Sequence, residues 1–319
     1  MDAEHEPEVS PSSLRVGAQP VGHYGGSARS VYSVPSLGGA WLKLSIIMAC
    51  YNEAATIEQA IDEVLAVDYP CDMELIVVDD GSTDATPRLL AAVADPRVRV
   101  LGHPANRGKG AALLTGAAAA TGNYFLPFDA DLEYVPEDIL KLLEPVLRGR
   151  CRVVYGVRLF GFNTVYRSYV YAAGNKLFTR TANILFGSCL SDLHTCLKLI
   201  PLDVLCSLRL IETGFGLDTE LSASLLRCGI RPFEVPISYY SRSHEEGKKI
   251  TWRDAFACLR ILLRVRMQRR SRFAQLGKPT ASIDPLARAS LAAVLPEPRP
   301  AHAALASESA CECGVGATS

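Results

Sequence analysis

Leu44-Ser45-Ile46-Ile47-Met48-Ala49-Cys50 is an apolar run of strand length, and Tyr51-Asn52-Glu53 ends it abruptly. A run that is apolar at successive positions fits a strand buried on both faces. Beyond the break, Thr56 and Gln59 have the spacing of a helix-opening capping box, and Ile57, Ala60, Ile61, Val64 and Leu65 recur at helical intervals. A helix with one buried stripe is expected there. The same order repeats downstream. Glu74-Leu75-Ile76-Val77-Val78 runs into Asp79-Asp80-Gly81-Ser82-Thr83-Asp84 and a helix to about residue 93. Val98-Arg99-Val100-Leu101 leads to Asn106-Arg107-Gly108-Lys109-Gly110 and an alanine-rich helix over 111–120. A fourth run, Tyr124-Phe125-Leu126, ends in Phe128-Asp129-Ala130-Asp131-Leu132-Glu133 ahead of a helix opened by Pro136. Strands and helices alternating at these lengths imply parallel β-α-β units with right-handed crossovers, and so a doubly wound α/β sheet.

Ligands of such sheets sit beyond the carboxyl ends of the strands. That rule gathers Asn52-Glu53, Asp79-Asp80, Arg107 to Gly110 and Asp129-Ala130-Asp131 along one edge. In an extended segment, side chains two apart share a face, so Asp129 and Asp131 can address one cation while Ala130 turns into the protein. Two carboxylates at the end of a buried strand are costly without such a charge between them. Magnesium or manganese is commonly held this way, by one or two carboxylates and substrate phosphates. Acids at the neighbouring strand ends can accept from a base and a ribose, and Lys109 can answer a diphosphate. The edge therefore reads as a site for a nucleoside diphosphate that arrives with a metal. Each piece also has a plainer reading: Glu53 as a charge at a helix start, Asp79-Asp80-Gly81 as a turn, the glycines of 106–110 as backbone geometry alone. The glycine loop has neither the P-loop pattern nor G-x-G-x-x-G, which argues against a P-loop NTPase and a nicotinamide dehydrogenase.

Composition sets outer bounds. Thirty-three basic residues against 34 acidic leave a net charge of -1, so nothing global points to nucleic acid. The ten cysteines are scattered without a C-x-x-C pair, as for reduced core residues of a cytosolic protein, and zinc is not expected. Neither a signal peptide nor a membrane span is expected from the apolar runs. Residues 1–40 and 273–319 are rich in small, polar and proline residues and read as disordered tails around one domain at 41–272.

The segments Ser45 to Glu53, Val77 to Asp84, Asn106 to Gly110 and Asp129 to Glu133 together resemble the family 2 glycosyltransferases, and among them the polyprenyl-phosphate glycosyltransferases typified by dolichyl-phosphate mannosyltransferase. The resemblance covers about residues 43 to 267. It implies a GT-A fold with a mostly parallel central sheet, inverting transfer of a single sugar from a nucleotide sugar, a divalent metal (Mg2+ or Mn2+) at Asp129 and Asp131, and nucleoside contacts from Glu53 and Asp79 with Asp80 alongside. Tyr51, Asn52, Lys109 and Ala130 belong to the same expected donor site.

The second half should then serve the acceptor, a polyprenyl phosphate or some other molecule. Residues 152–158 read as a strand ending in Arg158, and Tyr169 to Phe186 as a long helix. Ser191 to Lys198 resembles the family's acceptor loop, although His194 and Leu197 depart from its acidic and aromatic pattern. Phe215 to Glu220 resembles the segment that opens the family's next helix, where Asp218 reads equally as an N-cap. Phe233 to Tyr239 reads as a strand, and Tyr240 to Trp252 as a basic loop that folds over phosphates, with Arg242, Lys248 and Lys249 as the anion contacts. A lipid phosphate needs no base; a hydroxyl acceptor does, and Asp192 is then the candidate.

The last helix, Thr251 to Arg270, carries a stripe of Phe256, Leu259, Leu263 and Met267 opposite Ile261 and Val265, with Arg264, Arg266, Arg269 and Arg270 expected near lipid phosphates. Two apolar sides suggest that one packs on the domain and the other meets a membrane surface or a membrane-protein partner, giving peripheral attachment at the cytoplasmic face; an ordinary packed terminal helix fits as well. A nucleotidyltransferase is a competing reading, but it calls for a glycine-rich basic loop where Tyr51-Asn52-Glu53 stands. A non-catalytic nucleotide-sugar-binding scaffold is another.

Overall fold

The computed structural model describes residues 42–158, 163–165, 169–241, 252–268 and 299–300, all within one compact unit. The tails expected to be disordered lie outside these residues, apart from Arg299–Pro300. Four strands follow the predicted runs: β1 (Lys43–Cys50), β2 (Asp72–Asp79), β3 (Val98–Gly102) and β4 (Tyr124–Asp129). They lie in the order β3-β2-β1-β4, all parallel, and alternate with α1 (Ile57–Ala66), α2 (Thr86–Ala91), α3 (Lys109–Ala119) and, after β4, α4 (Asp138–Leu147).

The sheet continues past β4 with β5 (Val154–Val157), β7 (Lys198–Pro201) and β8 (Phe233–Pro236), in the order β4-β7-β5-β8. Here β7 runs antiparallel to both neighbours. It pairs with β4 only at Tyr124 and Phe125, so the end of β4 that bears Asp129 stands clear of it. A two-stranded sheet joins β6 (Thr164–Val165) to β9 (Tyr239–Tyr240), and β10 (Arg299–Pro300) runs antiparallel along β3. The single strand expected over 233–239 is thus two, in different sheets. The remaining helices are α5 (Tyr169–Phe186), α6 (Leu202–Ser207), α7 (Gly216–Arg227) and α8 (Trp252–Met267).

Alternation along β1 divides the core between the two faces of the sheet. Ile47, with Ile76 and Val78 of β2, packs with residues of α3, α7 and α8. Ile46 and Met48, with Leu75 and Val77, pack with Ile57, Ala60, Ile61 and Val64 of α1 and Ile139, Leu142 and Leu143 of α4. Apolar residues are needed at successive strand positions because both faces are covered. The capping box does not form. Thr56 is the N-cap residue of α1 but makes no side-chain cap; its hydroxyl lies 3.2 Å from Glu53 Oε2, and Gln59 donates to Glu63 instead.

Candidate active site

Register brings the four loops together. Cys50 lies beside Asp79, Ala49 beside Asp129, and Asp79 beside Gly102, so the residues after each strand share one edge. The loops are also tied to one another. Asn52 Oδ1 accepts from Thr83 N (2.8 Å), Ser82 Oγ accepts from Asn52 N (2.9 Å), and Asp84 Oδ2 accepts from Ala54 N (3.1 Å). Asn52 has φ +56°, a conformation that asparagine adopts more readily than most residues. It thus holds one loop against the next. Asp84, which the motif contains without an assigned role, does the same from the other side. Glu53 N donates to Thr86 Oγ1 (3.0 Å), and Asp79, mostly buried, accepts from Ser82 N (3.0 Å). Tyr51 and Glu53 are half-buried at this rim.

Asp80 is buried and faces inward. It accepts from His103 Nδ1 (2.6 Å), Arg107 N (3.0 Å) and Gly108 N (2.7 Å). Its carboxylate therefore fixes the loop ahead of α3 and spends both oxygens on protein donors. His103 escaped the sequence reading, since nothing in the pattern joins it to an acid 23 residues earlier. The glycines of the loop meet their plainer reading. Gly108 has φ +98°, and a Cβ on it would lie 2.6 Å from the Thr213 carbonyl oxygen; one on Gly110 would lie 2.8 Å from that of Gly214. Backbone approach, anchored by Ala111 N donating to Thr213 O at 2.8 Å, requires glycine at both.

At the end of β4, Ala130 is buried while Asp129 and Asp131 are half-buried, the alternation that an extended D-x-D requires. Leu132 then turns the chain with φ +59°, and Glu133 N donates to Asp131 Oδ1 (3.2 Å). Lys109 Nζ sits 2.5 Å from Asp129 Oδ1. Burial works against its charge, yet Asp129 and, more weakly, Asp218 hold Lys109 well above the usual lysine range. The edge thus already carries a cation on one of the two carboxylates, and that donor chemistry fits a divalent ion. Among the described residues, no cluster of three or more His, Cys, Asp or Glu side chains forms a ready metal cage, so the remaining ligands would come from a substrate's phosphates. Arg242, Lys248 and Lys249 lie outside the described residues. The stem of their loop is described: Tyr240 N donates to Glu133 O (2.9 Å) and Tyr239 Oη to Glu133 Oε2 (2.6 Å), which ties the stem to the D-x-D turn.

Residues 45–205, half of the chain, match the glycosyl transferase family 2. The chain belongs to that family. It is 29% identical over 231 residues to the low-salt glycan biosynthesis hexosyltransferase Agl6 of Haloferax volcanii, covering 69% of this chain and 53% of the relative. It is 41% identical over 101 residues to the succinoglycan biosynthesis protein ExoO of Rhizobium meliloti, covering 32% of this chain and 29% of the relative. The matched part spans less than two thirds of either relative. A crystal structure of glucosyl-3-phosphoglycerate synthase from Mycobacterium tuberculosis, in complex with Mn2+, UDP and glucosyl-3-phosphoglycerate, superposes with a TM-score of 0.53 at 24% identity, covering 73% of this chain and 80% of that one. At that identity the likeness is one of fold, and the fold is GT-A.

The chain's second half holds a buried ionic network. Asp192 is 1% exposed and accepts from Arg158 Nε (2.6 Å) and Nη2 (2.9 Å), from Asn175 Nδ2 (2.8 Å) and from His194 N (3.2 Å). Although burial opposes its charge, Arg158 brings its pKa down to about 2. Both oxygens of the carboxylate expected to serve a hydroxyl acceptor are thus engaged, and its charge faces a guanidinium. Lys198, fully buried, donates to Asp218 (2.6 Å) and lies over the Tyr155 ring. Asp218 is therefore an ion-pair partner in the first turn of α7, whose N-cap is Phe215.

His194 bridges Asn175 Oδ1 (2.9 Å) and Thr219 Oγ1 (2.9 Å). Asn175 donates to Asp192 through Nδ2, which leaves its Oδ1 to accept from His194 Nδ1, while Nε2 faces both the Thr219 hydroxyl and, at 3.8 Å, Cys258 Sγ, to which that hydroxyl donates. Burial first, and then Lys198, lower its pKa to about 4. The unfolded chain takes up this proton near pH 6.5 while the native state resists it until about pH 4, so the stabilisation is complete above pH 6.5 and is lost on acidification through that window. The shift corresponds to roughly 3 kcal/mol at about 1.4 kcal/mol per unit. In urea melts, the midpoint of the wild-type protein should fall between pH 7.5 and 5 more steeply than that of His194→Gln; parallel slopes would refute the assignment.

Proposed function

We propose that this glycosyltransferase moves one sugar, with inversion, from a nucleoside diphosphate sugar such as GDP-mannose or a UDP-sugar to a polyprenyl phosphate-type acceptor, with Mg2+ or Mn2+ held at Asp129 and Asp131. The observation that carries the donor half is the shared strand edge, where Glu53 and Asp79 stand beside Asp129, Asp131 and Lys109. Glu53 and Asp79 orient the nucleoside, and Lys109 takes negative charge on the diphosphate. A divalent cation at the two aspartates supplies charge stabilisation to the leaving diphosphate. The described chain ends at Ser241 in a stem tied to the D-x-D turn; Arg242, Lys248 and Lys249 lie outside the described residues, and we assign them to the same phosphates.

The acceptor half rests on Asp192. A hydroxyl acceptor needs a carboxylate to remove its proton, and Asp192 is bound to Arg158. A phosphate oxygen is ionised near neutral pH and attacks without that help. A lipid-borne acceptor also agrees with two neighbouring helices. On α8, Phe256 (71% exposed) and Met267 (84%) stand out with Leu259 and Leu263, and on α5, Tyr169 (81%) and Ile184 (83%) with Leu177. Arg180 and Arg260 are exposed on the same two helices. Ile261, Leu262 and Val265 fill the buried side of α8. Apolar residues beside cations suit peripheral attachment at the cytoplasmic face of a membrane. Arg264 is not among those cations, contrary to expectation. It donates to Glu212 (2.7 Å) and Glu220 (2.8 Å), while Arg266 Nε is spent on the Leu185 carbonyl (2.8 Å); Arg269 and Arg270 lie outside the described residues. Among the described residues, no helix is long and apolar enough to cross a membrane.

The test is a panel of nucleotide sugars with magnesium or manganese, offered a short-chain polyprenyl phosphate and, in parallel, a hydroxyl acceptor such as 3-phosphoglycerate. Sugar found on the polyprenyl phosphate with release of nucleoside diphosphate supports the reading; transfer only to the hydroxyl acceptor overturns its acceptor half, and released sugar 1-phosphate with the nucleotide on the acceptor would indicate nucleotidyl transfer. Flotation with anionic liposomes should carry the protein upward, and Phe256→Ser/Met267→Ser should reduce the floated fraction several-fold. Equal flotation of both proteins would remove α8 from the membrane contact.

A further inference from the structure

We infer that Lys109 is a displaceable counter-ion, which neutralises Asp129 in the donor-free protein and leaves it for the donor's diphosphate, so that nucleotide and metal are admitted together and not metal first. This deepens the donor half of the proposed function and rests on that reading. Three observations carry it. Lys109 Nζ lies 2.5 Å from Asp129 Oδ1, on one of the two carboxylates that the reading gives to the metal. The root of this arm is fixed. Asp80 holds Arg107 N and Gly108 N, the Thr213 carbonyl holds Ala111 N at 2.8 Å, and Gly108 and Gly110 press on 213–214 too closely for a Cβ. Only the four-carbon side chain can answer a new charge. Asp218, the other carboxylate that acts on its charge, is also taken, since it is paired with Lys198 at 2.6 Å.

Charge balance then sets the order of events. A free divalent ion approaching Asp129 must evict the Lys109 ammonium, and Asp218 is not open to receive it because Lys198 already holds it. If the same ion comes with a nucleoside diphosphate, the ammonium exchanges one anion for another, and the half-buried edge keeps its charge. Lys109 therefore weakens metal binding in the absence of nucleotide and strengthens nucleotide binding in the presence of metal, a reciprocal coupling between two ligands.

Manganese binding, followed by the loss of the free Mn2+ paramagnetic resonance signal, tests this without turnover. The full-length wild-type protein should bind Mn2+ weakly alone and at least about tenfold more tightly with UDP or GDP, within the usual range of coupling between sites. Lys109→Met should bind Mn2+ alone about tenfold more tightly than wild type and lose most of the coupling, and Lys109→Gln should behave alike, with thermal melts confirming that both are folded. If both neutral variants bind nucleotide-free Mn2+ with wild-type affinity, the counter-ion role is overturned while the metal site stands. If the folded wild-type protein binds neither Mn2+ nor nucleotide, the proposed donor site falls, and this inference with it.

Discussion

Asp131→Asn should abolish manganese-dependent sugar transfer, with a loss of at least about 100-fold in kcat/KM, in keeping with the removal of one preorganised electrostatic group from a reacting centre. The substitution is chosen because its structural cost is small. Asp131 is half-buried and accepts from Glu133 N through Oδ1 (3.2 Å), a contact that the amide oxygen of asparagine can keep. What disappears is one negative charge at a strand end whose partner, two residues earlier, is already engaged by Lys109. The melting temperature should therefore stay within a few degrees of wild type while transfer fails. Asp129→Asn is a less clean variant, because it also strands the Lys109 ammonium in a mostly enclosed place. Turnover by Asp131→Asn near the wild-type rate with saturating manganese would remove the metal from Asp131 and leave the D-x-D as the turn that Leu132, with φ +59°, makes of it.

The halves of this chain differ in how much of them could be read from residues alone. In the first half, each chemical group follows an apolar run directly, so strand register fixes its place: Cys50 beside Asp79 and Ala49 beside Asp129 follow once the runs are known to be parallel neighbours. Even there, contact geometry escaped. Asp80 and Asp79 are adjacent in sequence, yet one turns under the loop to His103 and the other stays at the rim, a choice made by tertiary hydrogen bonds that no spacing encodes. In the second half the pairs span different elements. Arg158 meets Asp192 across 34 residues, and Lys198, the end of the expected acceptor loop and the first residue of an otherwise apolar strand, meets Asp218 across 20. A lysine in such a run looks like a surface residue until a partner is known, and the partner sits in the first turn of a helix where an acid looks like a cap. The same blindness made Arg264 look available for lipid when Glu212 and Glu220 already held it.

Asp192→Ala should cost about 3–5 kcal/mol, because removing one member of a buried ion pair leaves the other charged and unpaired. The pair is unusually enclosed. Arg158 donates through two nitrogens to the two oxygens of Asp192 and stacks 4.9 Å over the Tyr239 ring, so its cation, 12% exposed, is left mostly enclosed when the carboxylate is removed. Tyr239 also donates to Glu133 beside the D-x-D, so the pair supports the wall between the donor edge and the stem of the basic loop. For a domain of this size, that loss should lower the melting temperature by roughly 6–20 °C. Arg158→Met should lose a similar amount, and Arg158→Met/Asp192→Leu should lose much less than the two single changes combined, since an apolar pair of similar volume leaves no charge stranded. Kinetics separate this role from catalysis. If Asp192 only positions Arg158 and the neighbouring loop, Asp192→Asn lowers activity without moving the acid limb of the pH–rate profile. If Asp192 takes a proton from the acceptor, that limb disappears, and the case for an acceptor already ionised goes with it. A double variant no better than the sum of its parts would show that Arg158 and Asp192 are stabilised by their other neighbours and not by each other.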